Sequence, residues 1–101
     1  MNFGLSIEVI GKIKKVLSQH KEVQLAILYG SRAKGNYKPG SDIDLTLKGE
    51  GLDLSKLAKI NSDVDDLSLP YTFDFSIYKH INNIELLDHI KRVGTIFYSN
   101  K

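Results

Sequence analysis

Three aspartates in this sequence sit among apolar neighbours. Asp42 and Asp44 flank Ile43 in the run Ser41-Asp42-Ile43-Asp44-Leu45, and Asp74 lies between Phe73 and Phe75. In an extended chain an i, i+2 spacing sends both carboxylates to one side, about 7 Å apart. Their repulsion is relieved by a cation, and hard oxygen donors of this kind suit magnesium, which keeps open positions for phosphate oxygens. Asp74 adds a third ligand if its segment lies near the first in one sheet. Upstream, Gly30-Ser31 closes an apolar run, and a residue without a Cβ at such a junction lets backbone N–H groups approach a phosphate. The Ser31 hydroxyl is a further donor. Arg32, Lys34 and Lys38, with no acidic residue between positions 30 and 41, offer positive charge to the outer phosphates of a nucleoside triphosphate.

These residues need elements to hold them. Val9, Ile10, Ile13, Val16 and Leu17 share one third of a helical wheel over residues 6–19, with Ser6 as N-cap and Glu8 in the first turn. Val23 to Tyr29 is a short apolar run ending at Gly30, the pattern of a buried strand. Residues 30–41 form a basic loop that opens with a helical turn at Ser31. Asp42 to Lys48 alternates, with Asp42, Asp44 and Thr46 on one face and Ile43, Leu45 and Leu47 on the other. After Gly49 and Gly51, Asp53 caps a helix over about residues 54–67, with Leu57, Ile60, Val64 and Leu67 on its stripe. Tyr71 to Tyr78 repeats the alternation, with Phe73, Phe75 and Ile77 opposite Asp74. Asn82 or Asn83 caps a last helix in which Leu86, Leu87, Ile90 and Val93 form the apolar side, and Thr95 to Tyr98 adds a short edge strand. The predicted architecture is α/β (α+β): a small mixed sheet, helices packed mainly on its apolar face, and the carboxylates left on the other. Residues 1–101 read as one domain.

Composition narrows the function classes. With 101 residues the chain is too short for separate catalytic and substrate domains. Cysteine is absent, so a disulfide framework, a thiolate zinc site and a cysteine nucleophile are excluded. Lys and Arg exceed Asp and Glu by 14 to 12, too small an imbalance to attract a nucleic acid as direct partner. No apolar run approaches a membrane span, and Glu8 stands where a signal peptide has its apolar segment. A soluble, cytoplasmic protein with no membrane partner is expected. His20, His80 and His89 lack the spacing of a helical metal pair and are assigned no role.

The combination Gly30-Ser31, ten residues, then Asp42-Ile43-Asp44 resembles the signature of the DNA polymerase β-like nucleotidyltransferase superfamily. Gly30-Ser31-Arg32-Ala33-Lys34-Gly35 followed by Ser41-Asp42-Ile43-Asp44-Leu45 is most similar to its minimal nucleotidyltransferase branch, and Phe73-Asp74-Phe75 matches the later-strand acid. The likeness spans nearly the whole chain; the helical substrate-binding domain of larger members is missing. The resemblance implies a nucleotidyltransferase core and two-metal transfer, in which a hydroxyl attacks the α-phosphorus of a triphosphate and pyrophosphate leaves. Asp42 and Asp44 are then ligands of two Mg²⁺ ions. Asp74 holds the ion at the attacking oxygen and stands at or beside the base that takes its proton. Gly30 and Ser31 hold the β- and γ-phosphates of ATP, and Arg32 faces the leaving pyrophosphate.

Within that family the resemblance is to the antitoxin of two-gene systems whose toxin is a small, all-helical HEPN ribonuclease, and it implies transfer of AMP to a tyrosine of that partner. Two other readings fit the same residues. One is a binding module that neutralises its partner by contact. The other is a transferase acting on a small hydroxylated molecule such as an aminoglycoside, which requires an acceptor pocket the sequence does not reveal.

Overall fold

The computed structural model describes residues 3–100, and its elements begin and end at local chemical signals. In α1 (Ile7–Ser18) the buried residues are Ile13, Val16 and Leu17, and the Ser6 hydroxyl accepts the Val9 amide at 3.1 Å. The Val23 amide donates to the His20 carbonyl in the turn that follows, so β1 (Leu25–Tyr29) starts two residues later than the apolar run does. A one-turn helix, α2 (Ser31–Lys34), opens the basic loop. β2 covers Ile43–Lys48, which leaves Asp42 just outside the strand. α3 (Leu54–Asp65) begins where Asp53 accepts the Lys56 amide at 2.8 Å. β3 covers Phe73–Ile77, and a short 3₁₀ turn, Tyr78–His80, leads towards α4 (Ile84–Val93), where Asn83 accepts the Leu86 amide at 3.0 Å. Each of these side-chain caps satisfies an amide the helix itself cannot, and is worth about 1 kcal/mol. β4 (Thr95–Ser99) completes the chain.

The strands form one mixed sheet in the order β3-β2-β1-β4. β1 runs antiparallel to β2 and β4, whereas β2 and β3 are parallel, with α3 in the crossover between them. Register decides the two faces. Ile43, Leu45 and Leu47 stand opposite Phe73, Phe75 and Ile77; the first three join Ala26 and Leu28, Ile13 and Leu17 of α1 and Ile60 of α3 in the main core, and Phe73 and Phe75 pack against it. Among the described residues no helix is long and apolar enough to cross a membrane.

One helix departs from the expected layering. α1 and α3 cover the apolar face, but α4 docks on the other side of the sheet, against β1. The reason lies in β1, whose Ile27 and Tyr29 share a face with Thr46 and Asp44 and need cover of their own. The α4 stripe supplies it through Ile90, which is buried. Gly94 makes the approach close: a Cβ there would press on the Ile90 carbonyl oxygen and lie 2.9 Å from the Ile27 methyl group.

Gly94→Ala is therefore expected to lift α4 from β1 and to destabilise the protein by about 1 to 3 kcal/mol, the usual range for overpacking. Thermal unfolding checks this. An unchanged midpoint would mean that α4 adjusts freely and does not form a fixed wall over β1.

Candidate active site

The parallel pairing sets Asp44 directly opposite Asp74, and Asp42 is the residue that enters β2. Asp44 is half-buried, while Asp42 and Asp74 are exposed. Burial, then the charges of Asp74 and Asp42, push the Asp44 carboxyl up to about 6. Across the sheet Tyr29 pairs with Asp44; burial first, and the Asp74 and Asp44 charges with it, raise its phenol. Among the described residues no three acidic or imidazole groups are drawn close enough to enclose a single ion.

Gly30 joins this cluster to the basic loop. Its backbone, φ 79° and ψ −160°, lies in a region that essentially only glycine occupies. A Cβ at Gly30 would also collide with the Asp44 carboxylate. The glycine is thus required twice, by its own dihedrals and by the acid beside it. Its amide does not point to an open phosphate site as expected, because it donates to His89 Nε2 at 3.0 Å. That bond needs the imidazole with its proton on Nδ1. The His89 ring also stands edge-on to Tyr29, with centroids 6.2 Å apart. His89 therefore has a place in the site that a solvated wheel position did not foretell; the signal was its position three residues after Leu86 and one before Ile90, at the margin of the apolar stripe. Next to Gly30, Ser31 is half-buried at the first turn of α2, and that helix has no side-chain cap bond.

Arg32 is corrected from pyrophosphate ligand to clamp. The residue is 1% exposed. Its Nε and Nη2 donate to the Ser41 carbonyl at 3.1 and 2.9 Å, and its Nη1 donates to the Phe3 carbonyl at 2.9 Å. The guanidinium carbon lies over the rings of Tyr37 and Tyr71, 5.3 and 5.2 Å from their centroids. A buried guanidinium committed in this way ties the start of the loop to its end and to the chain before α1. The cations left for a phosphate are the exposed Lys34 and Lys38.

Two hydroxyls deepen the polar floor. Thr46 Oγ1 and Ser76 Oγ, paired across the strands one alternation beyond Asp44 and Asp74, are buried without a hydrogen-bond partner. Ser76 lies close enough to influence the Tyr29 phenol but lacks hydrogen-bond geometry. Buried hydroxyls of this kind are rare and call for a water or ligand atom. Hard carboxylate oxygens, unpartnered hydroxyls and a glycine pressed against the acid fit a divalent cation and a phosphate better than any apolar ligand.

The sequence profile described as "Polymerase beta, Nucleotidyltransferase" matches residues 11–101. None of the curated proteins matches at a significant level. Among solved structures, a chain of a toxin-antitoxin with AMP-PNP superposes with a TM-score of 0.73 at 22% identity, covering 89% of this chain and 73% of that one. A chain of tri-AMPylated Shewanella oneidensis HEPN toxin in complex with MNT antitoxin gives 0.68 at 19% identity, over 91% and 71%. A chain of the toxin-antitoxin MntA-HepT gives 0.68 at 19%, over 93% and 73%. At these identities the likeness is one of fold.

The raised Asp44 carboxyl has a stability consequence with a definite sign. Its folded value of about 6 exceeds the unfolded value of about 3.9, so between these the native state holds a proton the unfolded state has lost. Stability then falls as pH rises through that window. In chelator, Asp44→Asn should melt at a higher temperature than the parent above pH 6, with the difference shrinking towards pH 4. Added magnesium should narrow the gap by binding the native parent. A variant that melts lower at every pH would instead give Asp44 a structural hydrogen-bonding role.

Proposed function

Because this chain belongs to the polymerase beta nucleotidyltransferase family, we propose that it transfers AMP from ATP to a protein hydroxyl, a tyrosine of a small helical HEPN-type toxin, and so acts as that toxin's antitoxin. The observation that carries the reading is the register of Asp44 on Asp74 beside Gly30. Support for the nucleotide and the acceptor comes from the neighbouring structures, one with AMP-PNP and one a tri-AMPylated HEPN toxin with its MNT antitoxin.

In this proposal Asp42, Asp44 and Asp74 hold two magnesium ions. The chemistry supplied by ions held there is electrostatic: neutralisation of the carboxylate cluster and of the charge that develops at phosphorus. Gly30 brings the chain against Asp44 without a clash, which lets Ser31 face the β- and γ-phosphates. Lys34 and Lys38 offset the charge of the departing pyrophosphate. A new bond forms from the acceptor oxygen to the α-phosphorus while the bond from that phosphorus to pyrophosphate breaks. The acceptor proton passes to Asp74, exposed and next to the attacking side. Arg32 and His89 touch neither nucleotide nor acceptor; they hold the loop and the Gly30 turn in place.

A second reading is neutralisation of the partner by contact alone. One pair of measurements separates the two. Calorimetry should find magnesium and ATP binding together and each only weakly alone. Asp44→Asn, nearly isosteric, should keep the fold and lose AMP transfer by two or more orders of magnitude, about what loss of a major electrostatic group removes. Equal ATP affinity with and without magnesium, or a variant that keeps most of its transfer activity, would leave contact neutralisation as the better account.

A further inference from the structure

Asp74 stands on β3, the last strand of the sheet, and what lies on the outer side of that strand bears on the acceptor. The Ile43 amide donates to the Thr72 carbonyl at 2.9 Å, so Thr72 and Asp74 turn their backbone groups towards β2. By strand alternation Phe73 and Phe75 turn their N–H and C=O groups to the open edge. β3 has no lysine, no proline within the strand and no bulge in its pairing with β2; its five residues carry one charge, Asp74. Beside the edge, between β3 and α3, runs a groove of about 280 Å³ lined by Leu54, Leu57, Ala58, Asn61, Phe73 and Phe75, and Asp74 is part of its wall. Apolar side chains line part of it, with the Phe73 and Phe75 rings stacked 5.8 Å apart and Leu54 69% exposed, beside polar surface at Asn61 and Asp74.

We propose that β3 is the acceptor-docking edge: an extended segment of the partner protein adds to the sheet as a fifth strand, with alternate side chains in the Leu54–Phe75 groove and the intervening ones beside Asp74. The need for an acceptor rests on the transfer reading above, whereas the docking rests on the edge itself. Unpaired N–H and C=O groups select an extended backbone as occupant. Strand geometry then sorts its side chains. The residue facing Asp74 occupies a position where paired side chains are about 4.5 to 5.5 Å apart at Cβ, while its two neighbours point into the groove. The segment therefore alternates apolar residues with hydroxyl-bearing or basic ones, the latter complementary to the exposed carboxylates. A second copy of this chain is a poor occupant, since pairing two β3 edges would bring the two aspartate clusters together. On a tyrosine so placed, the phenol oxygen bonds to the α-phosphorus of ATP, the bond from that phosphorus to pyrophosphate breaks, and the phenol proton passes to Asp74.

The decisive property is parity, because a shift of one residue in a strand exchanges its faces. The probe is an acetylated, amidated heptapeptide with valine at odd places and threonine, tyrosine and lysine at even ones. Its control has the same composition with the tyrosine moved one place. The first peptide should bind the full chain without nucleotide, slow hydrogen exchange at the Phe73 and Phe75 amides, and be adenylylated on tyrosine when magnesium and ATP are added; the control should bind at least about tenfold more weakly and remain unmodified. Ala58→Arg, on an exposed helical position, should weaken binding of the first peptide by about tenfold or more through loss of the groove, with circular dichroism confirming the fold. Binding and amide protection without transfer would support the docking edge and overturn the transfer reading. Equal modification of both peptides, or of free tyrosine, would overturn the docking edge and leave transfer standing. Absence of binding by both peptides would also overturn it.

Discussion

The parallel, in-register pairing of β2 with β3 sets Asp44 beside Asp74, and most of the structure is organised around those two like charges. Parallel neighbours need a crossover, and α3 provides it while sealing the apolar face. The hydrophobic rows Ile43–Leu45–Leu47 and Phe73–Phe75–Ile77 hold the register, because sliding one strand by a residue would expose a row of the core. The favourable burial on one face thereby enforces repulsion on the other. Burial first, and then the Asp74 and Asp42 charges, raise the Asp44 carboxyl, and a bound cation would offset both.

Around the acids, two polar anchors fix a loop that has little apolar packing of its own. Arg32 joins Ser41 and Phe3 through three hydrogen bonds, and His89 takes the Gly30 amide. Neither anchor is replaceable by charge alone. The Arg32 fork bonds two carbonyls while its guanidinium lies over the rings of Tyr37 and Tyr71, which an ammonium group cannot reproduce. Likewise only a ring nitrogen free of its proton accepts from Gly30. The result is a turn held rigidly against Asp44, with Ser31 and the two exposed lysines on its outer side.

The two halves of the carboxylate face differ in access. α4 closes the β1 half, where Ile27 and Tyr29 require burial, and leaves Asp42 and Asp74 exposed. Asp74 is thus reached from solvent along an edge strand, next to a groove lined in part by apolar side chains. An open sheet edge positions an incoming backbone by hydrogen bonding alone. Orientation of two reactants is worth several kcal/mol in a bimolecular transfer, and here it is available from elements the fold already contains.

Much of this was determined within short stretches of sequence. The i, i+2 aspartates, the Gly30-Ser31 junction, the helical stripes and the caps at Ser6, Asp53 and Asn83 each depend on residues a few positions apart, and local geometry leaves them few alternatives. The motif spacing likewise identified the family without any knowledge of contacts. What only the tertiary structure decided were the contacts between residues distant in sequence. Arg32 could read as a phosphate ligand until its partners were Phe3 and Ser41. His89 meets Gly30 across 59 positions. α4 carried an apolar stripe that suited either face, and the choice fell to Ile27 and Tyr29, whose exposure on the acid side no periodicity within α4 encodes. A hydrophobic pattern states that a face will be buried; which surface buries it is settled by competition among all the faces of the folded chain.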